Sequence, residues 1–280
     1  MNLSAKSITG AKVQFRDETY RFGKHLHTSI ELYLLKAGAC FMDIGNQTIH
    51  CKEGDFVLIL PHVVHSFYVE GNSTCIFSHI HFEPDVFSTI MLSEETEYPL
   101  SLMNALLFAC NSYHHQKTDS IISGCITKVI NLYHQETTLL DFAQINITLI
   151  KLFLHVLEIY EDSSPTAHTE IQNHYISFTL DYISQNYMNK IVQSEIADSL
   201  HISVRYLSKL FARYMGLPMS NYINIFRINK SIVLMDTTDM TLTEIALAIG
   251  LSSSQHFSKL FTDVINMTPS NYRKQFLSKK

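Results

Sequence analysis

Apolar residues follow two rhythms along this chain. From about Val13 to Phe82, short runs rich in aromatic and β-branched residues alternate with turn residues: Glu31–Leu35, Cys40–Ile44, Phe56–Leu60, Ser66–Val69 and Cys75–Ile80. Such runs predict β-strands, Gly45-Asn46 predicts a two-residue hairpin turn, and this spacing of short strands predicts a sandwich or barrel. After Pro84 the apolar positions recur at three and four. Leu139, Phe142, Ile145, Leu149, Leu152, Phe153, Val156 and Ile159 then line one face of a helix, which could pack on the barrel or against the same helix of a second subunit. Ser163-Ser-Pro-Thr-Ala-His168 is polar and carries Pro165, so 163–170 reads as a linker between a 1–162 domain and a 171–280 domain.

The last part of the chain is internally duplicated. Ile196-Ala197 matches Ile245-Ala246, Ser208-Lys-Leu-Phe211 matches Ser258-Lys-Leu-Phe261, and Ser220-Asn-Tyr222 matches Ser270-Asn-Tyr272, at a period of 50 with one residue fewer between the first pair. Duplication implies two similar units. Each copy predicts a helix-turn-helix: Gln193–Leu200 and Val204–Tyr214 capped by Ser203, then Leu242–Ile249 and Ser254–Ile265 capped by Ser252 or Ser253. Leu207, Leu210 and Phe211, or Phe257, Leu260 and Phe261, turn to the core. The opposite faces present Arg205, Ser208, Lys209 and Ala212, or Ser254, Gln255, Ser258, Lys259 and Thr262. Arg and Lys can hydrogen-bond guanine, Gln can read adenine, and Ser can meet base or phosphate. A connecting helix from Met219 to Met235 would span roughly 25 Å, the scale needed to hold two recognition helices one DNA turn apart.

Charge supports this division. The formal net charge of the 280 residues is −5, yet residues 1–170 hold 10 Lys+Arg against 19 Asp+Glu while residues 171–280 hold 11 against 7. An acidic front joined to a basic back points to an anionic partner for the back alone. All five cysteines lie in the first half without a C-x-x-C pair, which reads as reduced thiols in a cytoplasmic protein. The start lacks the apolar core of a signal peptide. The apolar stretch Ile145–Ile159 is interrupted by Asn146, Thr148, Lys151, His155 and Glu158, so no membrane partner is expected.

Residues 171–280 resemble the DNA-binding domain of the AraC-type transcription regulators. The motifs are densest in the second copy, with Ile245-Ala-x-x-Ile-Gly250, Phe257-Ser-Lys-x-Phe261 and Thr268-Pro269-Ser-x-Tyr272-Arg273; Arg227-Ile228 also fits. Asn266 stands where the family usually has Gly, His256 where it has Tyr, Ser231 where it has Ala, and Thr262 where Lys is frequent. The resemblance implies DNA contacts by Arg205, Ser208, Lys209, Ser254, Gln255, Ser258 and Lys259. It also implies double-stranded promoter DNA and RNA polymerase as partners, usually for activation, and a homodimer.

A second constellation lies in the first half. His25 and His27 in H-x-H spacing, followed by Glu31, fall on one side if strand alternation holds, and a later strand can bring His65 beside them. Three His and one Glu suit a divalent Mn, Fe, Ni or Zn ion. The pattern resembles the metal motifs of the cupin barrel, although Val63 and Val64 occupy a region where the enzymes carry Gly. AraC-type regulators commonly carry such a barrel as an effector-binding domain without known metal dependence. His25, His27, Glu31 and His65 are therefore expected to bind a small-molecule effector, a sugar first, with a divalent metal as the alternative and no cofactor required. His62, His79 and His81 could join the lining.

The expectation is an α+β, two-domain regulator: an N-terminal cupin-like β-barrel with a helical dimerisation segment, and a C-terminal all-α domain with two helix-turn-helix units. The alternatives are a metal-dependent cupin enzyme, or the same regulator answering a fatty acid or a host-derived signal.

Overall fold

The computed structural model describes residues 8–71, 73–84, 87, 90–93, 100–110, 112–135, 138–160 and 167–274. Eight strands form the N-terminal sheet: β1 (Ile8–Arg16), β2 (Arg21–His25), β3 (Ile30–Ile44), β4 (Gln47–Lys52), β5 (Asp55–Ile59), β6 (His65–Tyr68), β7 (Cys75–Phe82) and β10 (Tyr113–Lys117). The short β8 (Met91–Ser93) and β9 (Leu100–Ser101) pair separately. Two runs expected as separate strands are the single long β3. Gly38 allows this by taking φ 75°, where a Cβ would fall 1.8 Å from the Thr74 carbonyl oxygen. The first half of β3 pairs β5 and β7, and its second half pairs β4 and β6.

The expected barrel is corrected to an open folded sheet, because among the described residues the strand path β1-β7-β3-β5-β10 ends at β1 and β10 without a closing pair. Helices α1 (Leu102–Cys110), α2 (Ser120–Tyr133) and α3 (Leu139–Glu158) complete the core. Asp119 caps α2, and a Thr138–Asp141 capping box starts α3. Ile145, Leu149, Leu152, Phe153 and Val156 are buried as the periodicity requires, whereas Leu139 and Ile159 are exposed. By length and composition the whole of α3 is long and apolar enough to cross a membrane, which the shorter window read from the sequence missed; a third of that stretch is buried inside this fold. All five cysteines are buried and free.

The predicted linker lies outside the described residues as far as 166, and from Ala167 the chain is already helix α4 (Ala167–Asn186). The C-terminal part continues with α5 (Gln193–Ser199), α6 (Val204–Met215), α7 (Met219–Thr237), α8 (Leu242–Ala248), α9 (Ser254–Ile265) and α10 (Pro269–Tyr272). Its separate core is built on Ile196, Leu207, Phe211, Tyr222, Phe226, Ile245, Phe257 and Phe261. Leu260, expected inside, is only half-buried, and Val264 takes its place. Leu26 and Val64 of the β domain also pack into this core, so the two parts share a dry contact.

Candidate effector site and DNA interface

Each recognition helix is fixed by a serine cap at its start and a left-handed residue at its end. Ser203 accepts the Tyr206 N–H and Ser253 the His256 N–H, both at 3.2 Å. Gly216 (φ 71°) ends α6 and Asn266 (φ 60°) ends α9, so Asn serves where Gly was expected. Arg205 and Lys209 on α6, and Gln255 and Lys259 on α9, are exposed. Ser208, Ser254 and Ser258 are half-buried, and the Ser208 hydroxyl donates to Gln193 Oε1 at 2.9 Å. Arg227 and Arg273 face inward: Arg227 donates to the carbonyls of Tyr187 and Asn189, each at 2.8 Å, and Arg273 to that of Met240 at 2.7 Å. Both tie helices together rather than facing a ligand.

In the β domain the structure brings His25, His27, Glu31 and His65 together, with donor atoms within 4.8 Å of one another. Alternation on one strand is not the cause. His25 ends β2, His27 lies in the loop, Glu31 is the second residue of β3 and His65 opens β6, and the chain reversal between β2 and β3 folds them inward. His79 and His81 on β7 join Glu31 from the other side. His62 lies apart from the cavity lining described below, in the left-handed region at φ 64°, and its N–H donates to the His27 carbonyl at 2.8 Å.

The hydrogen bonds around Glu31 assign the imidazole tautomers. Nδ1 of His25, His27 and His65 faces the carbonyls of Gly23, Ser29 and Val63 at 3.0, 2.8 and 2.9 Å. A carbonyl only accepts, so each Nδ1 carries hydrogen and the Nε2 of each ring is the atom turned inward. His79 differs: Arg16 fixes the Gln14 oxygen, the Gln14 amide donates to His79 Nδ1 at 3.4 Å, and His79 Nε2–H donates to Glu31 Oε1 at 3.1 Å. Tyr33 donates to Glu31 Oε2 at 3.1 Å. His65 Nε2 stands 2.7 Å and His27 Nε2 3.3 Å from the same carboxylate, close but outside hydrogen-bond geometry. Burial opposes ionisation of Glu31, and His65, His27 and His79 more than offset it, holding the carboxyl well below its ordinary range. Burial, reinforced by His65, pushes His25 well below the ordinary imidazole value.

This donor set fits a divalent transition metal. Donors at ~2.0–2.2 Å from an ion lie at most about 4.4 Å from each other, so a small contraction closes the group. The backbone carbonyls behind three Nδ1–H groups, and the Tyr33 and His79 donors on Glu31, are the outer contacts that orient metal ligands.

His25 and Glu31, with His79 and His81, form one wall of a cavity of about 300 Å³, whose other walls are Lys12, Gln14 and Arg16 of β1 and the rings of Tyr20, Phe22, Tyr33, Phe67 and Phe77; His27 and His65 stand outside its lining. The β1 residues were not anticipated. Their signal was the alternation of Lys12, Gln14 and Arg16 with Val13 and Phe15, obscured because both sets end partly exposed.

The β domain grips both recognition helices at equivalent places. A Cβ on Gly23 of β2 would lie 2.7 Å from the Ile265 Cα, and one on Gly216 would lie 2.7 Å from the Cα of Gly45 in the β3–β4 turn. The Ser112 hydroxyl donates to the Tyr214 carbonyl at 2.8 Å.

Two family descriptions match the chain: an AraC-like ligand binding domain over residues 12–153, half of its length, and a helix-turn-helix domain over 196–275. The Msm operon regulatory protein of Streptococcus mutans is 24% identical over 92% of this chain and 89% of its own length. The melibiose operon regulatory protein of Escherichia coli is 32% identical over 40% of this chain and 38% of its own. Among solved structures, ToxT of Vibrio cholerae with bound unsaturated fatty acid shares the fold with a TM-score of 0.62, at 16% identity over 95% of both chains.

Proposed function

This chain belongs to the AraC family of transcription regulators, and from that premise we propose how its parts divide the work. It is a DNA-binding regulator with a ligand-binding domain. We place its base and phosphate contacts on Arg205, Ser208, Lys209, Ser254, Gln255, Ser258 and Lys259. The observation that carries this is the pair of capped recognition helices exposing Arg205 and Lys209, or Gln255 and Lys259, on equivalent positions. α7, at 19 residues, is roughly 28 Å long and suits helices entering successive major grooves. The Ser208 hydroxyl would have to exchange Gln193 for DNA, so its share is smaller than that of Lys209.

The effector site in this reading is the cavity beside Glu31 and His25, with His27 and His65 outside its lining and set against Glu31. Its volume is at the lower end of the range for small-molecule sites, about 300–1,000 Å³, and its aromatic walls with amide, guanidinium and imidazole edges suit a sugar ring. The melibiose operon regulatory protein, similar over 40% of this chain, supports the same choice. A fatty acid is the second reading, favoured by the bound ligand of the ToxT structure. Titration calorimetry with mono- and disaccharides, and separately with unsaturated fatty acids, decides between them.

Leu140, Ala143, Ile147, Ile150 and Leu154 form a stripe of heptad spacing on the outer face of α3, with Leu140, Ile147 and Leu154 exposed. A second copy of the chain is the occupant this spacing suits, and Ile147→Glu should convert a dimer to a monomer in light scattering. Cytoplasmic activation through RNA polymerase, the family's usual outcome, completes the reading.

A further inference from the structure

The two glycine contacts and the histidine cluster are parts of one connected structure. Glu31 meets His25, whose Nδ1–H bonds the Gly23 carbonyl, and Gly23 rests on the last turn of α9 at Val264 and Ile265. On the other side Glu31 meets His65, whose Nδ1–H bonds the Val63 carbonyl. The next carbonyl, of Val64, accepts the Gly45 N–H at 2.8 Å, and Gly45 rests on the last turn of α6 at Met215 and Gly216. Because the duplication places Met215 opposite Ile265, the cluster reaches the same point on each recognition helix by two short routes.

The interior of the cluster crowds imidazole nitrogens onto one carboxylate. Carbonyls hold Nδ1 of His25, His27 and His65, so their Nε2 atoms turn inward. Nε2 of His27, His65 and His81 stand at ion-pair distance from Glu31, yet none makes a well-formed hydrogen bond among the described residues. A buried polar atom without a well-formed partner is costly. One proton on His65 would satisfy one contact, whereas a divalent cation would satisfy all four donors at once.

We propose that His25, His27, Glu31 and His65 hold a divalent transition metal, and that its occupancy tightens the grip of the β domain on the ends of both recognition helices through Gly23 and Gly45. This rests on the reading of the β domain as the sensory part. Contraction of the donors around the ion draws β2 and β6 together, since both carry ligands, and the two glycine contacts lie one and two hydrogen bonds behind those ligands. The glycine contacts leave little slack: a methyl on Gly23 would overlap the backbone of Ile265 at 2.7 Å, and one on Gly45 would press on the Gly216 Cα at 3.2 Å. Lys12, Gln14 and Arg16 line the rest of the cavity, which remains for an organic effector.

The test uses the full-length chain with Zn(II) or Ni(II) alone and with a chelator. Elemental analysis and calorimetry read binding; amide hydrogen exchange reads residues 214–216 and 264–266. The expected result is one ion per chain, at least 100-fold weaker binding in His25→Ala and His65→Ala, and at least tenfold slower exchange at both helix ends in the loaded protein. With the ion at saturating concentration, Gly23→Ala should lose the metal-dependent protection at 264–266 and keep it at 214–216. Absence of stoichiometric binding, or binding that survives loss of His25 and His65, overturns the site. Stoichiometric binding with unchanged exchange at both ends overturns the coupling and leaves the site. Neither outcome touches the DNA-binding reading, which a gel shift of the same preparations checks separately.

Discussion

In the first helix-turn-helix unit the turn residue is His201 at φ 53°, and in the second it is Gly250 at φ 79°. The turn closes in the same way in both, with the Ile202 N–H donating to the Ala197 carbonyl at 3.0 Å and the Leu251 N–H to that of Ala246 at 2.9 Å. At the far end Gly216 in one copy and Asn266 in the other take the left-handed conformation. The entry to the first helix differs: α5 begins at Val192 without a side-chain cap, whereas α8 begins with a Thr241–Glu244 capping box. Duplication has kept the backbone and let side chains drift wherever the backbone tolerated it. Where a neighbour intrudes, drift is blocked. Gly250 lies against Met188, with space for a Cβ only 2.4 Å from its carbonyl oxygen, so glycine is required there on two counts.

That contrast can be broken most severely at Gly250. Gly250→Ala combines left-handed strain with backbone overlap and should cost about 2–4 kcal/mol in a urea melt. Removing charge from the exposed faces comes next: Lys209→Ala and Lys259→Ala should each weaken promoter binding more than tenfold in gel shift with an unchanged melt. Unchanged affinity would remove both from the interface.

The capping difference gives a smaller effect of opposite sign in the two copies. Thr241→Ala should lose about 1 kcal/mol, while Val192→Thr should gain about 0.5 kcal/mol in the first copy. The Thr241 N–H donates to Glu244 at 2.7 Å, and this backbone bond, with the hydroxyl, holds the Glu244 carboxyl below its ordinary value. A lowered carboxyl stabilises the fold above its unfolded-state pKa, and that contribution is lost as pH falls through the lower folded value. The acid arm of a melt of Glu244→Gln should therefore be flatter than that of the natural chain. Least of all, His201→Gly should gain about 0.5 kcal/mol by relieving left-handed strain.

The helical half was legible because each signal occurred twice. Ser203, the choice of Ser252 or Ser253, the Ile-Ala pairs and the Ser-Lys-Leu-Phe runs marked helix starts, faces and turn by mutual agreement, and Asn266 stood where the family usually has Gly. In the β half, period-two alternation told which residues share a face without telling which strands pair. β3 was therefore split at Gly38, β1 was not recognised, and the sheet was expected to close. The cluster at Glu31 was legible from residue types, yet its assembly depends on a chain reversal that alternation does not encode. Gly23 carried no local signal, and Gly45 was marked only as a hairpin turn, because the helix end that presses on each lies far away in sequence.

The central claim is that the two units read different parts of one DNA site. Selection of binding sequences from random double-stranded DNA by the full chain, repeated with Arg205→Ala and with Gln255→Ala, tests it directly. The account predicts one asymmetric site with two blocks about one helical turn apart, the first substitution relaxing one block and the second relaxing the other. Loss of preference in the same block from both substitutions, or no enriched sequence for the natural chain, would contradict it.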